Sequence, residues 1–132
     1  MSIFFQSINS KFNTSSDSWE NIPGLSLSLK DLARSGSKEA LVTLTVPSPY
    51  ATGNNNPGID FAITINGNIL SFGSVSYSDK HPASPGRIPF SIQIFVDLQN
   101  HGQSGTIQAQ WKSVRGSTVH IDSPCSISAV VN

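Results

Sequence analysis

The segment IDFAITINGNILSFGSVSY, residues 59–77, decides the fold class of this chain. In its first half, residues 59–65, isoleucine and phenylalanine alternate with Asp60, Ala62 and Thr64, which is the two-residue period of a β-strand. The dipeptide Asn66-Gly67 follows, and it is typical of a tight turn between antiparallel strands. Residues 68–77 are therefore expected to pair back against the first strand as a hairpin.

Strand patterns recur on both sides of this hairpin. They cover residues 3–8, 25–29, 40–46, 90–97, 106–111 and 125–131. Residues 30–35 have helical composition but are too few for a stable helix, so they predict one helical turn. Residues 9–18, 50–58 and 78–87 are rich in turn-forming residues and are expected to be loops. About eight to ten short strands predict an all-β antiparallel sandwich or jelly roll, in one domain spanning residues 1–132.

Composition excludes several classes of partner. The chain has 132 residues with eight basic and eight acidic side chains, so no net charge attracts it to nucleic acid or to an anionic membrane. No apolar run is long enough to insert into a membrane. Cys125 is the single cysteine, which rules out an internal disulfide. The first residues do not resemble a signal peptide. We expect a soluble protein, and its location stays open, including export without a recognisable signal.

Residues 111–122, WKSVRGSTVHID, collect an arginine, a histidine and a carboxylate around a Gly-Ser turn. His120 and Asp122 are two residues apart and would share one face of a strand. Catalysis is not supported, because the chain lacks the G-x-S-x-G motif of a strained nucleophile. No spacing pairs two carboxylates as a glycosidase requires; the candidates are Asp60, Asp79, Asp97 and Asp122. The sequence therefore predicts a protein that is not an enzyme.

The histidines give no metal signature. His81, His101 and His120 are far apart, and neither H-x-H nor H-E-x-x-H occurs. We interpret His81 and His101 as surface loop residues. No metal and no cofactor is expected.

Two interpretations of Arg115 stay open on pattern alone. In the first, Arg115 is the ion-pair partner of Asp122 on a solvated face, where such a pair adds roughly 0–1 kcal/mol. Alternatively, Arg115 joins the tyrosine, serine and arginine side chains of loops 50–58 and 78–87 in a binding site. Planar donors beside an aromatic ring are suited to sugar hydroxyls and to the apolar face of a sugar ring.

Three motifs carry a resemblance to a known family. They are VPSPYATGNNNPGI at 46–59, GRIPF at 86–90 and QWKSVRGSTVHIDS at 110–123. The chain resembles the TNF-like, fucose-binding bacterial lectin family, represented by the amino-terminal domain of a bacterial superlectin. This resemblance extends from residue 22 to the last strand. It implies a TNF-like jelly-roll homotrimer with a calcium-independent site for fucosylated glycans at each interface between protomers.

The resemblance also implies which residues bind sugar. Tyr50, Ser84 and Arg87 would come from one protomer, and the neighbouring protomer would supply Ser76, Tyr77, Arg115, His120 and Asp122. The two arginines would donate to sugar hydroxyls, and the tyrosines would offer ring faces or phenolic hydroxyls. Asp122 would orient an arginine, His120 or a water.

Two positions depart from the family pattern. Asp60 stands where the family has tyrosine, and Pro85 stands where it has threonine. These changes replace an amphipathic ring with a charge and remove a hydroxyl, so they bear on affinity and on the choice of oligosaccharide. They also motivate an alternative function, in which a TNF-like or C1q-like trimer with a degraded sugar site binds a protein receptor or serves assembly.

Overall fold

The computed structural model describes residues 1–34, 36–100, 104–122 and 124–132. In these ranges the chain forms eleven strands, one short helix and one 3-10 turn. In chain order they are β1 (Ser2–Ile8), β2 (Phe12–Thr14), β3 (Glu20–Ser28), α1 (Leu29–Ala33), β4 (Glu39–Val46), β5 (Pro49–Thr52), β6 (Gly58–Ile65), β7 (Asn68–Ser76), the 3-10 turn (Ser84–Gly86), β8 (Phe90–Asp97), β9 (Thr106–Val114), β10 (Thr118–Ile121) and β11 (Cys125–Val131).

The strands form two four-stranded sheets and one smaller sheet. The first sheet has the order β1-β11-β4-β8, and the second has the order β3-β9-β6-β7. Inward side chains of both belong to one buried core, for example Leu44 and Ile127 from the first sheet and Phe61 and Ile107 from the second. The third sheet has the order β2-β10-β5. This architecture confirms the all-β, sandwich-like class.

The hairpin between β6 and β7 forms as the sequence predicts. Asn66 and Gly67 have φ angles of 51° and 83°, the positive values that a type I′ turn requires at both central positions. One expectation differs, because Ala62 and Thr64 on the second face of β6 are also fully buried. The Thr64 hydroxyl avoids an unsatisfied burial by donating to the Gln108 carbonyl oxygen at 3.0 Å.

Two segments that were expected to be loops contain strands. β2 lies within 9–18, and β5 takes up the start of 50–58; both pair with β10. Pro49 occupies the first position of β5, at an edge of the sheet, where a missing N–H costs least. Strands of three or four residues carry almost no periodic signal, so pairing with a distant segment decides them.

The remaining elements agree closely with expectation. The helical turn of residues 30–35 corresponds to α1, although residue 35 lies outside the described residues. Alternate residues of β9 and β11 are buried, as their periodicity predicts. In β8 the same alternation is weaker, because Phe90 and Val96 are buried whereas Ile92 and Ile94 are only partly buried. In the part of the chain that the structure describes, no helix has the length and hydropathy needed to cross a membrane.

Candidate functional site

Four of the expected site residues meet beside the small sheet, and we call them the Tyr50 cluster: Tyr50, Arg87, His120 and Asp122. Tyr50 on β5 is directly opposite His120 on β10, and their rings stack with centroids 4.4 Å apart at an interplanar angle of 7°. The guanidinium carbon of Arg87 lies 3.6 Å from the Tyr50 ring centroid. The His120 ring and the Arg87 guanidinium are both so close to the Tyr50 ring that they would overlap if they were on the same face. They therefore lie on opposite faces of Tyr50. The ring of Tyr50 is therefore covered on both sides.

Arg87 keeps most of its hydrogen-bonding capacity. Its Nε donates to the Pro82 carbonyl oxygen at 3.3 Å, while Nη1 is 3.8 Å from Oδ2 of Asp122, which is too long for a hydrogen bond. Among the described residues, neither terminal nitrogen donates a hydrogen bond to protein. A fixed guanidinium with four unused N–H donors thus stands beside a carboxylate acceptor.

Burial sets the protonation of the two stacked rings. It raises the pKa of Tyr50, and interaction with the Asp122 carboxylate raises it further against the opposing charge of Arg87. Burial lowers the pKa of His120, with Arg87 acting in the same direction and Asp122 in the opposite one. A neutral imidazole and a neutral phenol therefore form the stack at pH 7. The His120 Nε2 atom is 3.3 Å from the Thr52 hydroxyl oxygen.

The lowered pKa of His120 gives a test of this burial. Unfolding restores a histidine pKa of about 6.5, so the unfolded chain binds the proton first as the pH falls. Neutral His120 therefore makes its full contribution to stability when the pH is above the unfolded-state pKa of about 6.5. That contribution should decline as the pH falls from there towards the pKa of His120 in the folded protein, which is lower. We expect His120→Gln to flatten the fall in melting temperature between pH 7.5 and pH 5.5. The matched control is His81→Gln, at an exposed loop position; an equal flattening there would contradict the assignment to His120.

A second group, the Arg115 cleft, lies at the turn between β9 and β10. Arg115 has a φ of 54°; its Nε donates to the Asn56 carbonyl oxygen at 2.8 Å, and its Nη2 donates to the Ser76 hydroxyl at 2.6 Å. The open cleft has a volume of about 420 Å³ and is lined by Asn56, Ser76, Tyr77, Ser78 and Arg115. A Cβ atom at Gly58 would lie 2.7 Å from Nη2 of Arg115, so glycine makes room for this guanidinium.

Tyr77 joins the two groups. Its side chain is only 5% exposed, and its hydroxyl donates to the carbonyl oxygen of Pro49, the residue before Tyr50. Burial raises the pKa of Tyr77 to about 12, although Arg87 opposes the shift. Because this hydroxyl is used internally, Tyr77 can offer a ligand no more than part of its ring.

Three further residues were expected to bind sugar: Ser84, Pro85 and Asp60. Ser84 is exposed in the 3-10 turn, and its carbonyl oxygen accepts the backbone N–H of Arg87 at 3.2 Å. The side chain of Pro85 lies outside the described part of the chain. Asp60 is not in the cleft lining; it accepts a hydrogen bond from the Ser74 hydroxyl, and its Oδ2 is 3.9 Å from Nζ of Lys112.

Within one chain, the structure groups these residues differently from the division that the resemblance implies. His120 and Asp122 lie with Tyr50 and Arg87, whereas Arg115 lies with Ser76 and Tyr77. The interpretation of Arg115 as the partner of Asp122 is wrong, because Asp122 pairs with Arg87. Tyr50 also has no free ring face to offer a sugar within this chain, because His120 and Arg87 stack on its ring.

Two residues of the Arg115 cleft, Asn56 and Ser78, are not among those predicted from the sequence. Asn56 fixes Arg115 through its carbonyl oxygen, and it adopts a φ of 43°, a left-handed conformation that asparagine tolerates. The three consecutive asparagines before Pro57 were the available signal. Ser78 lines the cleft but gives no local pattern that distinguishes it from other loop serines.

His81 contributes to neither group. His81 is exposed in a loop, as expected, while His101 lies outside the described residues. Within residues 1–34, 36–100, 104–122 and 124–132, no three histidine, cysteine, aspartate or glutamate side chains come together as metal ligands.

The chain is similar to one protein family in sequence and to several solved structures in fold. Residues 9–130 match the protein family described as Bc2l-C, N-terminal domain. A search of curated proteins finds no match. Two similar solved structures are dimeric latent PorU from Porphyromonas gingivalis, with 9% identity and a TM-score of 0.54, and insecticidal delta-endotoxin Cry8Ea1 from Bacillus thuringiensis, with 15% identity and a TM-score of 0.41.

The likeness to PorU shows the fold alone. Each alignment covers 96% of this chain, but only 12% of the PorU chain and 19% of the endotoxin chain. The family match is different in kind, because it extends over nearly all of the sequence. The chain therefore belongs to the Bc2l-C N-terminal domain family, whose namesake is the amino-terminal domain of a bacterial superlectin, and it is a lectin-related bacterial domain.

Proposed function

We propose that this protein is a lectin that binds fucosylated glycans without calcium and without catalysis. The observation that carries the proposal is the pair of oriented arginines: Arg87 stacks on Tyr50, and Arg115 is held by Asn56 and Ser76. Both guanidinium groups are fixed before a ligand arrives, so little side-chain entropy is lost on binding. Their remaining N–H donors suit neighbouring hydroxyls on a sugar ring.

Asp122 supplies the complementary acceptor. A sugar hydroxyl both donates and accepts hydrogen bonds, so it is best satisfied by a donor and an acceptor placed side by side. Arg87 and Asp122, 3.8 Å apart, offer this combination without closing on each other. Both are partly buried, with 21% and 30% of their side chains exposed, and partial burial strengthens charge-assisted hydrogen bonds.

We further propose that the functional unit is a TNF-like jelly-roll homotrimer whose sites are completed by a neighbouring protomer. The Arg115 cleft is open, Tyr77 is buried, and both ring faces of Tyr50 are covered. One chain therefore contacts a bound sugar on only part of its surface. A second protomer would supply the remaining contacts to the sugar. The arrangement of Ser84 and Arg87 on the exposed loop before β8 suits such a shared site.

The outer face of the first sheet supports self-association. Ile3, Val130, Leu41 and Phe95 form one row across β1, β11, β4 and β8, as their register requires. Ile3 is 63% exposed and Phe95 is 71% exposed. Contiguous exposed apolar side chains of this kind are typical of protein interfaces.

A glycan array probed with and without EDTA tests the proposed function. We expect retention of fucosylated structures in both conditions. Saturable heat on titration with methyl α-L-fucoside would separate this function from the alternative of a protein-binding trimer with a degraded sugar site. An array without preference for fucose contradicts the proposal, and sedimentation equilibrium showing a monomer contradicts the shared site.

A further inference from the structure

A row of polar and aromatic side chains leads away from the Arg115 cleft along the outer face of the second sheet. We call it the outer strip and define it as Phe72, Ser74, Asp60, Lys112 and Trp19. It begins next to Ser76, which accepts the hydrogen bond from Arg115. It ends on aromatic rings that the core does not use.

The strand register places these side chains together. In β7, Ser76 is opposite Gly58, Ser74 is opposite Asp60, and Phe72 is opposite Ala62. Alternate residues of a strand point to the same face, so residues 72, 74 and 76 form one row about 13 Å long from end to end. On the other side of β6, Lys112 is opposite Asp60.

The middle of the outer strip is polar and electrically balanced. Nζ of Lys112 is 3.9 Å from Oδ2 of Asp60, and the Ser74 hydroxyl donates to Oδ1 of the same carboxylate. The charges of Lys112 and Asp60 cancel, which suits a neutral ligand better than an acidic one. Lys112 keeps ammonium donors, and Ser74 keeps acceptor capacity, for a ligand hydroxyl.

The far end of the outer strip is aromatic. Phe72 is 62% exposed, and its ring meets that of Trp19 edge to face at a centroid distance of 6.5 Å. Lys112 Nζ lies 4.9 Å from the centroid of the Trp19 ring, which fixes the indole in place. A phenylalanine that is largely exposed on a sheet face and packs against a second aromatic ring is a preformed platform for an apolar surface.

We propose that the outer strip is a subsite for the sugar residues that follow the terminal fucose of a neutral oligosaccharide. The proposal rests on the proposed lectin function of the Arg115 cleft, with which the strip is continuous through Ser76. The terminal residue binds at Arg115, the next residue meets Ser74 and Lys112, and a further residue stacks on Phe72. The strip supplies an exposed aromatic face, whereas Tyr50 is covered on both sides and Tyr77 is mostly buried.

Calorimetry with methyl α-L-fucoside and with a panel of neutral fucosylated tri- and tetrasaccharides tests this subsite. We expect wild-type protein to bind at least one of these oligosaccharides more tightly than the monosaccharide. Phe72→Ala should lower that oligosaccharide affinity by about two- to tenfold and leave the monosaccharide affinity unchanged. Phe72→Tyr should keep the gain because it retains the ring, whereas Phe72→Leu should lose it although it remains apolar.

The outcomes separate the two proposals. If the wild type binds the monosaccharide and no oligosaccharide more tightly, the subsite is overturned while the lectin function stands. The same holds if Phe72→Ala weakens both ligands equally, or weakens neither. If the wild type binds none of the fucosides, the lectin function and the subsite both fail.

Discussion

Replacing Arg115 by alanine is expected to lower the affinity for methyl α-L-fucoside by at least about a hundredfold. The guanidinium provides charge-assisted hydrogen bonds, each of which contributes about 1.5–3 kcal/mol, and about 3 kcal/mol corresponds to a factor above a hundred. The fold should tolerate the change, because Arg115 is exposed and alanine adopts its φ of 54° no less readily than arginine. Titration calorimetry gives the affinity, and thermal unfolding gives the stability.

Two further variants sharpen this result. Arg115→Lys keeps the charge but loses the planar fork that donates to Asn56 and Ser76, so it should restore little binding. Arg34→Ala removes an exposed arginine that follows α1 and pairs with Asp31, and it should bind like the wild type. Wild-type affinity in Arg115→Ala contradicts the proposed site, and loss of the trimer in that variant assigns Arg115 a structural role instead.

Replacing Phe61 by alanine is expected to lower the free energy of unfolding by about 3–5 kcal/mol. Phe61 on β6 is fully buried, and its ring stacks on Phe90 at 4.7 Å and on Trp111 at 6.4 Å. Because Phe90 belongs to the first sheet and Trp111 to the second, the Phe61 ring packs at the interface between the two sheets. Alanine would leave a cavity that both neighbours border, and packed cores relax only partly around such a cavity.

Urea unfolding followed by tryptophan fluorescence measures this loss. The matched control is Phe72→Ala on the neighbouring strand, where the same side chain is 62% exposed and pairs with the Trp19 ring, so its removal should lower stability by no more than about 1.5 kcal/mol. Equal losses in the two variants would contradict the placement of Phe61 at the centre of the core. A similar slope of the unfolding curve in all three proteins would show that the denatured states are comparable.

The local part of the fold was predictable because the causes are local. Alternation in residues 59–65 and the Asn66-Gly67 turn specify the β6–β7 hairpin without any distant partner. The strands β2 and β5 were not predictable in this way. They have three and four residues, and their hydrogen bonds form only after β10, some seventy to a hundred residues away, has been placed beside them.

The candidate site shows the same division. The spacing of His120 and Asp122 predicts that they share a face, and Arg87 and Arg115 stand out in a chain with few charges. The stacking of Arg87 on Tyr50 and the hydrogen bond between Arg115 and Ser76 join residues 37 and 39 positions apart. Periodicity carries no information about such contacts.

By itself, the sequence determined the all-β class, the principal hairpin, the alternating buried faces of β9 and β11 and the residue types available for recognition. Tertiary structure alone decided that His120 and Asp122 join Arg87 rather than Arg115 and that the faces of Tyr50 are covered. It also placed Asp60 on the outer strip with Lys112. The physical reason is that periodicity and turn chemistry act over a few residues, whereas these contacts depend on the register of paired strands and on close packing between them.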